Sequence, residues 1–270
     1  MKTLVASLLR TTPRTASSKP ALPADMIDGL RKGLEEICAL EYGTLKLSQS
    51  ELAQRLDLSR AAARRYLLTL AALGYMTTDG KAYWLTPKVM RIGHSYVAGS
   101  RLPRTVLPTL QRLTDAFDES TNLSVLEGDE AVYICRDNAN KLLPTGIEPG
   151  TRLPAHTSAG GRMILSQSPD AALDAWLKET TLKAYTPFTV VDKPQLKREI
   201  LKMRNEGYGL TESQLEMGLR GLSVPLLDGP GQVVGALSVS MSIAAITPAA
   251  AIKRFVPAMR IAAEKLREQL

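Results

Sequence analysis

The chain has 270 residues, of which 44% are hydrophobic and 23% are charged, a composition typical of globular proteins that excludes collagen-like, low-complexity and wholly disordered classes. Its two cysteines and two histidines support neither a disulfide framework nor a transition-metal site, so we expect no metal and no cofactor. No apolar run approaches the roughly 20 residues of a membrane-spanning helix, and we expect a cytoplasmic protein that does not contact a membrane.

The basic charge is concentrated near the N-terminus. Residues 1–100 contain 14 Lys and Arg against 8 Asp and Glu, a net charge of +6, whereas residues 101–270 contain 20 against 19, a net charge of +1. A nucleic-acid footprint would produce this asymmetry. An ordinary solvated basic face would produce it as well, so charge alone leaves both interpretations open.

Residues 1–23 mix a short apolar run with Thr, Ser, Pro and basic residues and show no sustained periodicity. We predict that they form a flexible arm. A secretory signal is the alternative because Lys2 precedes the apolar residues, but Arg10 interrupts the run and no clear small-x-small cleavage site follows.

Three helices are predicted within residues 24–86. Residues 26–39 carry apolar residues at three- and four-residue steps, which is the helical period. A second helix begins at a capping box formed by Ser48 and Glu51, next to a pair of leucines that can pack together, Leu47 and Leu52, and it ends near Leu56.

The third helix follows the N-cap residue Ser59 and runs to about Leu73. Its inward stripe is predicted to consist of Ala63, Leu67 and Leu70. Asp79-Gly80 then marks a tight turn between two short strands at 75–77 and 83–85. Three helices followed by a hairpin are the element order of a winged helix-turn-helix domain.

Three arginines stand away from the apolar stripe of the third helix. Arg60, Arg64 and Arg65 occupy its first two turns, where guanidinium groups can pair with guanine and neutralise phosphate. An ordinary solvated helix face is the alternative, but the preceding capped helix, the hairpin and the local charge favour DNA. The predicted DNA-binding residues are Ser48, Ser59, Arg60, Ala62, Arg64, Arg65 and Thr69.

The remaining chain is predicted to contain a linker helix over residues 87–103 and an α+β domain over residues 104–270. Two strands meet at Gly128-Asp129, and two more flank residues 228–232. Further helices are predicted to begin near Ser168, Asp192 and Thr247.

Six sequence blocks together resemble the IclR family of bacterial transcriptional regulators. The resemblance is greatest to the PobR and PcaR branch of the family, which controls aromatic-acid catabolism. The N-terminal blocks are LSRAAARRYLLTL (58–70), LGY (73–75) and LTPKVMRIG (85–93). The C-terminal blocks are PAHTSAGGR (154–162), GLRGLSVP (218–225) and LSVS (237–240). The resemblance implies a winged helix-turn-helix domain, a linker helix and a GAF-like effector domain, in a homodimer or homotetramer that binds double-stranded operator DNA.

The resemblance also implies a site for a small organic acid. The loop backbone of that site corresponds to Ala159 and Gly160, and two serines on a central strand correspond to Ser238 and Ser240. Backbone N–H groups at a helix beginning near Ser158 would favour a carboxylate. The apolar wall would include Leu142, Leu153 and Leu219. Tight-packing glycines and satisfied core hydroxyls are the structural alternative for the loop and strand residues.

Two positions depart from the glyoxylate-type members of the family, where an acid and a thiol correspond to Thr211 and Gly221 in this chain. Family members often carry an acidic residue four places before the first glycine of the GLRGLSVP block. This chain has Gln214 at that position. These departures argue against a copied small-keto-acid site. The small Gly221 leaves volume that agrees with a bulkier aromatic or cyclic acid.

An enzyme acting on a small carboxylic acid is the alternative function, and a protein-interaction module is a third interpretation. His156 and Glu212 have no nucleophile motif beside them, and Cys135 lies in an apolar strand where a core role is favoured. Arg136 and Arg162 could neutralise a ligand carboxylate, but a role in tying loops together is favoured. We therefore predict a ligand-responsive DNA-binding regulator without a catalytic residue.

Overall fold

A computed structural model describes residues 27–40, 46–139 and 147–270. These residues belong to two compact units, the first ending at Tyr96 and the second spanning Val97–Leu270. The predicted arm at 1–23 and the predicted wall residue Leu142 lie outside the described residues.

The N-terminal unit combines three helices with a small antiparallel sheet. Its elements in chain order are α1 (Asp28–Cys38), β1 (Leu47–Ser48), α2 (Gln49–Arg55), α3 (Arg60–Ala72), β2 (Met76–Thr78) and β3 (Ala82–Leu85). The sheet has three strands in the order β1-β3-β2, one more than the predicted hairpin. The extra strand contains Leu47, which is buried in one cluster with Leu52, Leu67, Leu70 and Met76.

Local capping signals place the helix starts of this unit. Ser48 and Glu51 form the predicted capping box at the start of α2. The hydroxyl of Ser59 accepts a hydrogen bond from the N–H of Ala62 at the start of α3. Gly74 has φ +75°, a left-handed conformation that favours glycine and ends α3. The predicted inward stripe of α3 is buried.

Helix α1 buries a different face from the one its apolar residues suggest. Ile27, Leu30 and Leu34 are 73%, 63% and 50% exposed, and only Ile37 among the periodic apolar residues packs partly against the core of the unit. Glu36 is instead completely buried. The apolar face of α1 is therefore available for contact with another surface.

The predicted linker helix over 87–103 is not one continuous helix. The chain forms a short 3-10 turn at Pro87–Val89, then α4 (Met90–Gly99), and after Ser100 a new helix, α5 (Arg101–Phe117). Ser100 has extended backbone angles, φ −84° and ψ 127°, which end the helical hydrogen-bond pattern. Pro103 then lies in the first turn of α5, where its missing N–H costs no helical hydrogen bond.

The C-terminal unit is a six-stranded sheet with helices on both faces, in agreement with the predicted α+β class. Its strands are β4 (Ser120–Glu127), β5 (Glu130–Asp137), β6 (Arg152–Pro154), β7 (Gly209–Glu212), β8 (Leu219–Leu227) and β9 (Val233–Ser242). Its helices after α5 are α6 (Ala159–Ser166), α7 (Asp170–Glu179), α8 (Lys193–Glu206) and α9 (Pro248–Arg267).

The antiparallel strand order is β6-β5-β4-β9-β8-β7, and side chains alternate between two covered faces. On one face, Leu237, Val239 and Met241 of β9 join the large core formed with α5 and α9. On the other face, Ala236 packs with Met163 and Ile164 of α6. Ser238 and Ser240, which alternate with the core residues, therefore lie on the face of the sheet that α6 covers.

Candidate functional site

The exposed side of α3 carries the three predicted arginines. Arg60, Arg64 and Arg65 are exposed, whereas Ala63 and Leu67 on the opposite side are buried in the core of the unit. None of the three guanidinium groups forms an ion pair or side-chain hydrogen bond with any residue that the structure describes. They are therefore free to contact an anionic partner.

The other predicted DNA-binding residues help to hold α3 and α2 in place. Thr69 donates its hydroxyl hydrogen to the carbonyl oxygen of Arg65 at 2.8 Å. The amide of Gln49, the first residue of α2, donates to the carbonyl oxygen of Arg60 at 2.9 Å and joins the two helices at the start of α3. Ala62 is half-buried, and its N–H is used by the Ser59 cap.

A lysine that sequence reasoning missed lies just before β1 and contacts the β2–β3 hairpin. Lys46 lies with its ammonium nitrogen 3.8 Å from the centre of the Trp84 ring and 3.2 Å from the Asp79 carboxylate. Two backbone N–H groups, from Ala82 and Lys81, and the Lys46 ammonium group lower the pKa of Asp79 to about 2. Asp79 therefore stays ionised and holds the turn between β2 and β3.

A cleft opens in the C-terminal unit where the start of α6 meets the sheet, and it encloses about 450 Å³ of empty space that is partly open to solvent. The structure brings eight of the nine predicted effector residues together around it, the exception being Leu142, which it does not describe. These eight are Leu153, Ala159, Gly160, Thr211, Leu219, Gly221, Ser238 and Ser240. Their role in binding stays a prediction.

Sequence reasoning missed six further lining residues, namely Tyr133, Ile147, Thr157, Ser158, Gln214 and Leu215. Burial raises the pKa of Tyr133 to about 12, so its hydroxyl stays protonated at neutral pH and can donate a hydrogen bond. Tyr133 follows a strand pattern without any motif, and only the sheet order places it at the cleft. Gln214 was noted only as a departure from the family pattern.

The start of α6 is pressed closely against the sheet. The Ser158 hydroxyl accepts from the N–H of Gly161 at 3.0 Å, and Ser223 of β8 donates to the carbonyl oxygen of Ala159 at 2.8 Å. A Cβ atom at Gly161 would lie 2.6 Å from the Cα of Ala155, a distance that real structures do not allow. The positive end of the α6 dipole therefore faces the cleft at a fixed distance.

A buried arginine connects α6 to the cleft wall. Arg162 is 1% exposed and donates at 2.6 Å to the carboxylate of Glu199 on α8 and at 2.6 Å to the amide oxygen of Gln214. The same amide oxygen accepts from the N–H of Val190, and the amide nitrogen donates to the carbonyl oxygen of Phe188. Arg162 thus ties segments together, as the sequence analysis predicts.

The described residues hold little that could catalyse a reaction at this cleft. Burial raises the pKa of the Cys135 thiol to about 11, which keeps the thiol protonated and unreactive. Burial also lowers the pKa of His156, whose Nε2 lies 3.0 Å from the carbonyl oxygen of Lys183. Within the described ranges, no three His, Cys, Asp or Glu side chains gather as a metal site would require, and no helix has the length and apolarity to cross a membrane.

Comparison with known proteins decides the family. The model of the IclR helix-turn-helix domain matches residues 30–80, and that of the bacterial transcriptional regulator IclR C-terminal domain matches residues 94–268. The chain belongs to the IclR family of transcriptional regulators. The predicted winged-helix and effector-domain organisation is confirmed at the level of these two family domains.

This IclR-family chain is 36% identical over 247 residues to the Pca regulon regulatory protein of Pseudomonas putida, covering 91% of this chain and 85% of the relative. The structure of a transcriptional regulator from Rhodococcus sp. RHA1 superposes with a TM-score of 0.79 at 33% identity. The match covers 91% of this chain and 98% of the Rhodococcus chain.

The inducer-binding domain of an Acinetobacter PobR double mutant, in complex with 3-hydroxybenzoic acid, superposes with a TM-score of 0.60 at 26% identity and covers 63% of this chain and 100% of its own. These likenesses confirm the predicted PobR and PcaR branch. The relatives are regulators and not enzymes, so the enzyme alternative is not supported.

Proposed function

We propose that this IclR-family regulator reads a specific double-stranded operator with α3. The observation that carries the proposal is the exposed arginine face, Arg60, Arg64 and Arg65, on a helix whose other side is fixed in the core. Ser48 and Ser59 cap the starts of α2 and α3, which would approach the sugar-phosphate backbone of the DNA. Ala62 and Thr69 complete the predicted DNA-binding surface. Bidentate arginine contacts to guanine would supply sequence selectivity, and phosphate contacts would supply affinity.

Replacing Arg64 with alanine tests this interface. If Arg64 contacts a base, operator binding should weaken by about 1–3 kcal/mol, and selectivity at one base pair should relax. Fluorescence anisotropy titrations with the operator and with scrambled duplex measure both quantities. Arg198→Ala on α8 removes the same charge from an exposed position of the other unit and should leave operator affinity unchanged. Unchanged affinity of the Arg64→Ala variant would remove this residue from the interface.

The proposed effector is a small organic acid, aromatic or of related structure. Ala159 and Gly160 present the start of α6 to its carboxylate, and Ser238 and Ser240 offer hydroxyls from the sheet. Leu142, Leu153 and Leu219 would form the apolar wall, with Thr211 and Gly221 beside it. The Pca regulon relative and the PobR domain solved with 3-hydroxybenzoic acid support this class of ligand.

A thermal-shift screen of aromatic and short-chain organic acids tests the effector. A ligand that binds only the native state raises the melting temperature with its concentration. Protocatechuate, p-hydroxybenzoate and β-ketoadipate are the first candidates, and the corresponding uncharged amides are the controls. We expect at least one acid to raise the melting temperature while its amide does not. A screen in which no acid shifts the transition would contradict the proposal.

The proposal includes a homodimer or homotetramer in the cytoplasm, with an arm at 1–23, a DNA-binding domain at 24–86, a linker at 87–103 and an effector domain at 104–270. The exposed apolar face of α1, formed by Ile27, Leu30 and Leu34, supports self-association. Effector binding would favour one arrangement of the oligomer over another and so change the spacing of the paired winged domains. Light scattering coupled to size-exclusion chromatography measures the oligomeric state, and a monomer would contradict it.

A further inference from the structure

Gln214 lines the effector cleft, yet its side-chain amide is already engaged with other parts of the protein. The amide oxygen accepts from Arg162 of α6 at 2.6 Å and from the N–H of Val190 at 3.0 Å. The amide nitrogen donates to the carbonyl oxygen of Phe188 at 2.7 Å and, at 3.4 Å, to that of Glu212. A glutamine amide has two acceptor and two donor positions. All four are used within the protein, so the amide has no hydrogen bond left to offer to a ligand.

One of these bonds joins two sides of the cleft. Gln214 belongs to the loop at 213–218, which connects β7 to β8 and forms one side. The start of α6 forms another side through Ala159 and Gly160. Arg162 lies in the first turn of α6, so its bond to the Gln214 amide oxygen ties the loop directly to the helix start. The distance between these two sides therefore depends on where the amide is held.

The other bonds of Gln214 hold a segment that contains neither helix nor strand. This segment, residues 180–192, connects α7 to α8, and we call it the strap. Phe188 and Val190 are the strap residues that bond to the Gln214 amide. The Thr189 hydroxyl donates to the main-chain carbonyl oxygen of Gln214 at 2.6 Å. The side chain and the main chain of one cleft residue thus hold the middle of the strap.

We propose that Gln214 is a positioning residue for acid binding, and that its amide holds the cleft at the width that fits the acid only while the strap is bonded to it. Acid binding and closure of the strap are then one linked equilibrium. The inference rests on the proposed acid-binding function. It adds a residue that sets acid affinity through its position, and a segment outside the cleft whose opening the acid suppresses.

The strap requires an amide at position 214 because it presents both a donor and an acceptor there. The N–H of Val190 needs an acceptor, and the carbonyl oxygen of Phe188 needs a donor. An ionised glutamate only accepts hydrogen bonds, so it would turn a carboxylate oxygen towards the Phe188 carbonyl oxygen. Glutamine in place of the acidic residue that family members often carry thus matches the bonding needs of the strap.

Opening of the strap would change the cleft through the loop at 213–218. The loop would lose the three strap bonds to Gln214. Arg162 would stay with the helices, because it is 1% exposed and Glu199 of α8 accepts from it at 2.6 Å. The loop could then turn relative to the start of α6, and an acid that contacts both sides of the cleft would bind more weakly.

Hydrogen exchange and calorimetric titration of the full-length protein test the inference. The variant is Gln214→Met, which keeps an unbranched, uncharged side chain and removes both polar groups. Gln111→Met, at an exposed position of α5, is the matched control. The acid is whichever of protocatechuate, p-hydroxybenzoate and β-ketoadipate binds the wild-type protein most tightly. Mass spectrometry follows exchange in a strap peptide, 184–192, and in a reference peptide from the turn at 228–232, which does not line the cleft.

Without acid, we expect Gln214→Met to speed exchange of the strap peptide tenfold or more and Gln111→Met to leave it unchanged, since amides exchange through local opening. Gln214→Met should also weaken acid binding tenfold or more. In the wild-type protein, acid at 100 times its dissociation constant should slow strap exchange by up to about 100-fold, because opening then requires release of the acid. The reference peptide should not slow. A glutamine with a merely structural role would not make strap exchange follow the acid concentration.

Three results would overturn the inference while leaving acid binding in place. They are strap exchange that is the same with and without acid, a Gln214→Met variant with wild-type acid affinity, and a variant whose strap exchanges no faster than that of the wild type. If Gln214→Met does not fold, the wild-type comparison with and without acid decides. Failure of the proposed function looks different, because the wild-type protein then binds none of the acids, and the inference fails with it.

Discussion

Glu36 has a carboxyl group that α1 buries completely, and neither carboxyl oxygen has a hydrogen-bond partner among the described residues. Burial raises its pKa from 4.5 to about 8, because the charged form loses its hydration. The folded N-terminal unit therefore keeps a proton on this residue at pH values where the unfolded chain has released it.

The raised pKa of Glu36 predicts that stability falls as pH increases. Below pH 4.5 both states hold the proton, so the residue carries no pH-dependent cost; between 4.5 and about 8 only the folded state holds it. The free energy of unfolding should fall by at most about 1.4 kcal/mol for each pH unit in that window. Glu36→Gln should match the wild type near pH 4.5 and be more stable at pH 8.

Urea denaturation followed by circular dichroism at pH 4.5, 6 and 8 measures this effect. Glu179→Gln removes a carboxylate at the exposed end of α7 and should follow the wild type at every pH. A wild-type chain and Glu36→Gln variant that keep a constant difference in stability from pH 4.5 to 8 would contradict the assigned burial.

At the scale of the elements, two glycines within helices differ in the space available for a side chain. Gly161 in α6 has backbone atoms of Ala155 where its Cβ would lie, at 2.6 and 2.7 Å, whereas a Cβ at Gly93 in α4 would meet nothing within 4 Å. Alanine is favoured over glycine in a helix interior by about 1 kcal/mol. Gly93→Ala should therefore stabilise the protein, and Gly161→Ala should destabilise it by displacing the start of α6 from the sheet.

Differential scanning calorimetry measures both glycine variants, and titration with an acid found in the thermal-shift screen measures the cleft. Gly161→Ala should weaken acid binding by tenfold or more, because Ala159 and Gly160 would move with the helix. Gly93→Ala should leave acid binding unchanged and serves as the control for glycine replacement itself. Normal acid affinity in a folded Gly161→Ala variant would show that the cleft does not depend on this close packing.

Helix starts were predictable from the sequence because they depend on residues within one turn. Ser48 and Ser59 accept the hydrogen bonds that their capping patterns predict. Contacts between distant segments were not predictable in this way. The burial of Glu36 depends on the packing of α1 within its unit, and the burial of Asn122 depends on β4 lying between β5 and β9.

The eight effector positions that meet at the cleft came from resemblance to a family, since no local rule brings residues from β6, α6, β7, β8 and β9 together. Local pattern did contain one unused signal. Asn122 and Ser124 are polar residues that alternate with Leu123 and Val125, which places them on one face of a strand. Because α6 covers that face, the alternation indicates two polar side chains that the fold buries.

At the scale of the whole molecule, the two units have different charges that match separate tasks. Nearly all of the basic excess lies in residues 1–100, +6 against +1 for the remainder, so the C-terminal unit is close to neutral. Operator affinity should therefore decline steeply with salt, because cations are released from DNA on binding. The proposed acid would place one or two carboxylates at the C-terminal unit rather than along a polyanion, so its affinity should depend on salt much less.

Regulation requires that the two binding events be coupled, and coupling is reciprocal. If the acid changes the operator dissociation constant by a given factor, typically 5- to 150-fold in allosteric proteins, the operator must change the acid dissociation constant by the same factor. We expect anisotropy titrations of the operator with and without acid, and calorimetric titrations of the acid with and without operator, to give equal factors. The Arg64→Ala variant, at concentrations where operator no longer binds, should bind the acid as the free wild-type protein does. An acid that binds with the same affinity to free and to operator-saturated protein would contradict the coupling. Such an acid would have equal affinity for the two conformational states that the operator distinguishes, and it could not shift the balance between them.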